Sequence, residues 1–248
     1  MLGLPDTTRA CLFDLDGVLT DTASVHAAAW KQMFDDYLRA RAERTGEVFV
    51  PFDVKADYGP YVDGKPRLDG TRGFLASRGI TLPDGDVSDA PGAETVNGLA
   101  TRKNALVHEK IEELGVEVYE GSVRYLHAVR DAGLSTAVVS SSANAELVLQ
   151  VAGLTDLIDH RVDGVVAKER GLPGKPAPDT FLAAAADLDV PKEQAVVFED
   201  AIAGVESGRA GGFGFVVGVD RLGHADKLRE AGASVVVADL AELLGEQR

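Results

Sequence analysis

Cys11-Leu12-Phe13-Asp14-Leu15-Asp16-Gly17-Val18-Leu19-Thr20-Asp21-Thr22 opens apolar, sets two carboxylates two residues apart and breaks at a glycine. The apolar opening reads as the end of a buried strand. Side chains alternate faces along a strand, so Asp14 and Asp16 start out pointing the same way. Gly17 lets the backbone leave the strand in a conformation that other residues resist. Two like charges held together are costly unless a cation or a proton is shared between them. A bare Asp-x-Asp-Gly also fits a plain acidic turn. The longer string Asp-x-Asp-Gly-Val-x-x-Asp-Thr is far more specific.

Outward from this stretch the chain changes character twice. Thr22 to Arg44 carries Trp30, Met33, Phe34, Tyr37 and Leu38 at helical spacing. Asp53 to Gly70 is rich in Gly, Pro and charge and reads as a loop or a broken helix. A short helix is expected over Thr71 to Arg78, an exposed loop over Asp84 to Gly98, and a helix over Leu99 to Leu114 that stops at Gly115. From Val116 helices alternate with short β-branched runs. Strands are expected at Leu134 to Val139, Ala195 to Phe198, Phe213 to Val219 and Ser234 to Val237. Helices are expected at Ser122 to Ala132, Ala143 to Ala152, Thr180 to Leu188, Ala201 to Ala210 and Ala225 to Ala231. Such alternation implies a parallel sheet covered on both faces. The expected fold is therefore α/β, a doubly wound parallel sheet core formed by residues 1–21 and 116–248. Residues 22–115 form an inserted helical cap that leaves from the Asp14/Asp16 loop and can act as its lid. Val162 to Gly174 carries Asp163 and Lys168 and has no assigned role.

Ligands of open α/β sheets bind at the carboxyl ends of the strands. Three expected strands end in polar clusters: Asp14/Asp16, Ser140/Ser141/Ser142 and Glu199/Asp200. Asp14 is a candidate nucleophile, since a carboxylate that attacks phosphorus splits one hard transfer into two easier ones. Asp16 is a candidate general acid and base, or a second carboxylate beside a metal. Glu199 and Asp200 suit a hard divalent cation such as Mg2+, and equally the first turn of the next helix. Ser140 offers a hydroxyl beside backbone N–H groups for a phosphate, and one of these serines can also cap the helix. Lys175 lies between turns bearing Pro176 and Pro178 and would set positive charge against Asp14 and a phosphate.

In this order, Asp14-x-Asp16, Ser140, Lys175-Pro176 and Glu199-Asp200 resemble the haloacid dehalogenase superfamily over nearly the whole chain. The finer resemblance is to its β-phosphoglucomutase-like family. Asp21-Thr22-Ala23-x-x-His26-x-x-x-Trp30 is similar to that family's hinge and first cap helix, which implies that Thr22 and His26 serve catalysis. Gly64-Lys65-Pro66-Arg67 is similar to the cap loop whose arginine grips the phosphate that is not being transferred. Arg102-Lys103-Asn104 is similar to a substrate-facing cap segment. Ser140-Ser141-Ser142-Ala143-Asn144 is similar to the second phosphate loop. The resemblance thus implies substrate contacts at Gly64, Arg67, Lys103, Ser141, Ser142 and Asn144. It also implies Mg2+ held among Asp14, Asp16, Glu199 and Asp200. The chain departs from close relatives at Ala143, where they often carry a basic residue.

Bulk properties narrow the function further. The chain has 248 residues, 45% hydrophobic and 26% charged, ordinary for a globular protein. A formal net charge of −15 argues against nucleic-acid or anionic-membrane partners, which need basic surface. Cys11, the one cysteine, cannot form an internal disulfide and is expected to pack. With no basic-then-apolar leader and no apolar run of about 18 residues, a cytoplasmic protein is expected, as a monomer or weak oligomer. The resemblance implies three functions that these properties leave open. One is a mutase that takes β-D-glucose 1-phosphate to D-glucose 6-phosphate through the 1,6-bisphosphate. One is a phosphatase of small sugar phosphates or related metabolites. The third is a binding protein without turnover, against which the intact Asp14, Asp16, Lys175 and Asp200 count.

Overall fold

A computed structural model of the chain describes residues 2–245. The chain divides into two compact units, one of Met1–Asp21 with Val116–Arg248 and the other of Thr22–Gly115.

The first unit is built on a six-stranded sheet in the order β3-β2-β1-β4-β5-β6, every pairing parallel. The strands are β1 (Ala10–Phe13), β2 (Ser135–Val139), β3 (His160–Val162), β4 (Ala195–Glu199), β5 (Phe215–Val219) and β6 (Val235–Val237). All four residues of β1 are buried, as a central parallel strand with both faces covered requires. Alternation divides them. Ala10 and Leu12 join Ala137, Val139 and Val197 against Phe181, Ala184, Val205 and Leu228, from helices α8 (Asp179–Asp187), α9 (Ile202–Gly211) and α10 (Ala225–Ala231). On the opposite face Phe13 stacks on Phe198 at 4.5 Å and Phe198 meets Tyr125 at 5.6 Å; Tyr125 comes from α5 (Glu120–Asp131). Cys11 is fully buried, and burial pushes its thiol pKa upward, in keeping with a packing role.

Among the described residues the structure adds a strand and a helix to those expected, besides short 3-10 turns at Thr155–Leu157, Lys192–Gln194 and Leu240–Leu244. The run Val162 to Gly174 is not featureless. Strand β3 ends at Val162, and α7 (Gly164–Arg170) follows at once. Between them Asp163 is fully buried. Its carboxylate accepts from the N–H groups of Val165 and Val166, both at 3.0 Å, and from Arg161. Asp163 is therefore the N-cap of a helix that composition concealed. The helix α6 (Ala145–Val151) begins two residues later than expected and carries no side-chain cap from Asn144.

The second unit is helical: α1 (Ala23–Thr45), α2 (Tyr58–Tyr61), α3 (Arg67–Ser77) and α4 (Val96–Leu114). The aromatic face read on α1 is its core. Trp30 stacks on Phe34 at 5.3 Å, and Phe34 meets Phe74 at 4.1 Å and Phe52 at 5.4 Å. Helix α3 starts at Arg67 rather than Thr71. Pro66 suits a helix start, and Asp69 in the first turn complements the dipole. Gly70 is accepted inside the helix because a Cβ there would come within 3.3 Å of the Trp30 ring. Helix α4 takes up the end of the expected loop, since the Thr95 hydroxyl caps it by accepting from Gly98 N–H at 2.9 Å. Among the described residues no helix is long and apolar enough to cross a membrane.

Candidate active site

Sheet register brings the polar strand ends to one level. Phe13 of β1 is opposite Val138 of β2 on one side and Phe198 of β4 on the other. Asp14, Ser140 and Glu199 therefore emerge at the same edge, on three adjacent strands. The crevice beside β1, where the strand order reverses, is where open α/β sheets hold ligands.

Lys175 is the centre of the charge arrangement. Its side chain is 1% exposed, and its ammonium reaches Asp14 Oδ1 at 2.5 Å and Glu199 Oε1 at 2.6 Å. It also donates to the Val139 carbonyl at 2.9 Å and lies 4.9 Å from the Phe181 ring centroid. Burial disfavours its charge, yet Asp14 and Glu199 together outweigh burial and raise its pKa. The Lys175–Pro176 peptide bond is cis. Asp14 shows the converse balance: burial pushes its carboxyl well above the usual range, Lys175 pulls it back, and Glu199 and Asp16 push it up again. Asp14, Glu199 and Asp200 each offer an oxygen, and these lie within 4.8 Å of one another. Glu199 Oε2 accepts from Ala201 N–H at 3.0 Å.

Asp16 is not in that acidic group; its Oδ2 accepts from Ser140 Oγ at 3.3 Å. The turn that follows is tightly defined. Gly17 has φ +95, and a Cβ on it would lie 1.9 Å from Asp200 Oδ2. Its N–H donates to Thr20 O at 2.8 Å. In the serine loop, Ser140 Oγ accepts from Ser142 N–H at 3.0 Å, and Ser142 Oγ accepts from Asn144 N–H at 3.1 Å. Ser140 and Asn144 are buried, whereas Ser141 is half-buried.

The other expected site residues lie on the helical unit. Thr22 precedes α1 and is fully buried. His26 Nδ1 lies 2.9 Å from Lys103 Nζ, which sits over the Trp30 ring at 4.9 Å. Arg67 donates to Asn104 Oδ1, and burial pulls its guanidinium pKa downward. Gly64 turns the chain at φ +66. Arg102, beside Lys103 in the chain, pairs with Asp36 at 2.5 Å.

Arg221 was not singled out from the sequence. It follows β5 and donates from Nε to the Gly17 carbonyl at 2.8 Å. Asp220-Arg221 is a further polar strand end, which strand-end reasoning could have flagged.

A model of the haloacid dehalogenase-like hydrolase family matches residues 8–212. A β-phosphoglucomutase of Mycobacterium tuberculosis is 59% identical over 247 residues, 98% of this chain and 94% of that one. A fructose-1-phosphate phosphatase of Escherichia coli is 31% identical over 81% of this chain and 91% of its own. The crystal structure of β-phosphoglucomutase from Clostridium difficile aligns with a TM-score of 0.74 at 27% identity, covering 95% of this chain and 93% of that one. The chain belongs to the haloacid dehalogenase-like hydrolases, and within them to the β-phosphoglucomutase-like family.

Proposed function

We propose that this chain is a β-phosphoglucomutase, which converts β-D-glucose 1-phosphate to D-glucose 6-phosphate by phosphoryl transfer through an aspartyl phosphate and a 1,6-bisphosphate. The observation that carries the chemistry is the buried ion cluster in which Lys175 clasps Asp14 and Glu199 at the edge of the central strands. The 59% identity to a β-phosphoglucomutase over nearly the whole chain favours the mutase.

Asp14 attacks phosphorus, and the bond to the departing sugar oxygen breaks as the aspartyl phosphate forms. Asp16 gives its proton to that oxygen, then takes one from the sugar hydroxyl that accepts the phosphoryl group in the second half-reaction. Its bond with Ser140 Oγ fixes the carboxyl's direction. Attack requires ionised Asp14, and burial opposes ionisation. Lys175 supplies the opposing charge.

The donor set Asp14, Glu199 and Asp200 consists of hard carboxylate oxygens, which fits Mg2+. Glu199 is engaged by Lys175 and by Ala201 N–H, and each contact leaves its oxygen a lone pair. The cation would supply charge to offset that of the transferring phosphoryl group. On the helical unit, Arg67 would hold the phosphate that stays on the sugar, with Gly64 and Lys103 as further substrate contacts; Ser141, Ser142 and Asn144 of the first unit would add theirs. Thr22 and His26 would serve the acid–base step. The partner is a small phosphorylated sugar.

A phosphatase is the second reading. The likeness to a fructose-1-phosphate phosphatase favours it, as does Ala143, which leaves less positive charge for a second phosphate. Incubation with β-D-glucose 1-phosphate, Mg2+ and a trace of 1,6-bisphosphate separates the two. Glucose 6-phosphate well in excess of released phosphate supports the mutase, and phosphate release alone overturns it.

A further inference from the structure

Arg221 is 13% exposed and joins four segments of the first unit. Nε donates to Gly17 O at 2.8 Å, and Nη2 reaches Val18 O at 3.4 Å. Nη1 donates to Ala238 O at 2.8 Å, just beyond β6, with Asp239 Oδ2 at 3.8 Å. Nη2 also reaches Ser122 Oγ on α5 at 3.3 Å. The guanidinium lies 3.5 Å from the Tyr119 ring centroid, and Tyr119 Oη donates to Asp21 Oδ1 at 3.0 Å.

We propose that Arg221 is a positioning residue for phosphoryl transfer, acting through the Gly17-Val18 carbonyls to hold Asp16 and Asp200 in register with Asp14. This rests on the phosphotransferase reading above. Gly17 is the first residue after Asp16, and its bare α-carbon faces the Asp200 carboxylate. With its N–H held by Thr20 and its carbonyl by Arg221, the peptide between Asp16 and Val18 has one orientation. A planar fork is needed, because two carbonyls on one segment and one on another must be met at once. A lysine ammonium on a flexible stem supplies the charge without that geometry. The Tyr119 stack keeps the fork from turning. A displacement of about 1 Å in a catalytic group costs on the order of a hundredfold in rate.

The test uses the full chain with Arg221→Lys and Arg221→Ala. Hydrolysis of p-nitrophenyl phosphate with Mg2+ reports on Asp14 and Asp16 whatever the natural sugar is, and the glucose 1-phosphate assay reports on the mutase reading separately. Both variants should lose roughly tenfold to a hundredfold in kcat on p-nitrophenyl phosphate while KM stays within about threefold. Millimolar guanidinium ion should restore part of the kcat of Arg221→Ala and leave wild type unchanged. A folded Arg221→Lys protein with wild-type kcat overturns the proposal. So does a loss confined to KM, or a lowered Tm with unchanged kcat below the melting range. Mutase failure with these aryl phosphatase results intact overturns the sugar reading alone. A wild type inert on both substrates overturns both.

Discussion

Replacing Lys175 by methionine removes the ammonium and keeps an apolar stem of similar length. Asp14 and Glu199 are then left buried and facing each other. Apolar replacement of a whole buried ion pair is often neutral, but removing one partner costs about 3–5 kcal/mol because the remaining charge is uncompensated. Here one lysine serves two carboxylates, at 2.5 and 2.6 Å, so the cost should fall toward the upper figure at pH 8. One carboxyl can escape by taking a proton. Asp14 is already held well above the usual carboxylate range by burial, with Lys175 pulling it back; without Lys175 its pKa rises further. A group whose folded pKa is raised contributes stability at low pH and loses it as pH rises through that value. Lys175 itself has a raised pKa and stays charged in the folded wild type across pH 5–8. The deficit in Tm between Lys175→Met and wild type should therefore be larger at pH 8 than at pH 5. Turnover should fall by about 10²–10³, the usual effect of losing one preorganised electrostatic contact. Melting at both pH values with chelator present, then steady-state turnover with Mg2+, measures the three quantities. A variant as stable as wild type at pH 8 would refute the idea that these carboxylates depend on Lys175.

Asp14→Asn should abolish turnover and the alkali- and hydroxylamine-labile phosphoenzyme while the protein still melts cooperatively; activity above a few per cent of wild type would remove Asp14 as nucleophile. Chelation should stop turnover reversibly, and Asp200→Ala should raise the Mg2+ concentration needed for half-maximal rate, so full activity in excess chelator would count against the metal site. Arg67→Ala should cost the mutase about tenfold to a hundredfold, from a lost charge-assisted pair contributing about 1.5–3 kcal/mol, while phosphate release persists; a parallel fall in both would show that Arg67 is not a selective anchor. Burial works against the Asp220 charge, but N–H donation from His224 and Gly223 outweighs it and holds the carboxyl below its usual range. That stability is present above the ordinary aspartate value and lost as pH falls through the lowered one. Asp220→Asn should therefore melt lower at pH 7, by under about 1 kcal/mol after solvent screening, with the gap closing as pH falls below the ordinary aspartate value, and a pH-independent gap would contradict the assignment.

The parts legible in the sequence were those where one physical demand dominates. Central strands must be apolar on both faces, so the runs Cys11–Phe13 and Ala195–Phe198 stood out, and polar residues directly after them marked the site. The aromatic face of α1 was equally plain. Strand β3 was hidden because it lies at the sheet edge, where His160 and Arg161 are only half-buried and need not be apolar. Helix α7 was hidden because its start depends on one buried carboxylate, Asp163. The early start of α3 was obscured by glycines and a proline whose roles are positional. The Lys175 contacts with Glu199 and the Arg221 contacts with Gly17 join residues far apart in the chain. A pattern search shows that such residues exist, but their pairing follows from strand order.

The acidic group at the end of β4 also depends on residues without side chains. A Cβ on Gly17 would lie 1.9 Å from Asp200 Oδ2, and one on Gly204 would lie 1.8 Å from Glu199 Oε1. The two glycines differ in an instructive way. Gly17 has a positive φ, so its backbone alone favours glycine. Gly204 lies inside helix α9 with ordinary helical backbone, where alanine would favour the helix by about 1 kcal/mol. Local propensity and the site therefore pull in opposite directions at Gly204, and a glycine stands there. The space it leaves is filled by the carboxylate that pairs with Lys175, and Lys175 in turn holds Asp14. The opening of α9 is thus shaped by the charge balance at the end of β1, three residues before Gly17 turns the chain away from the sheet.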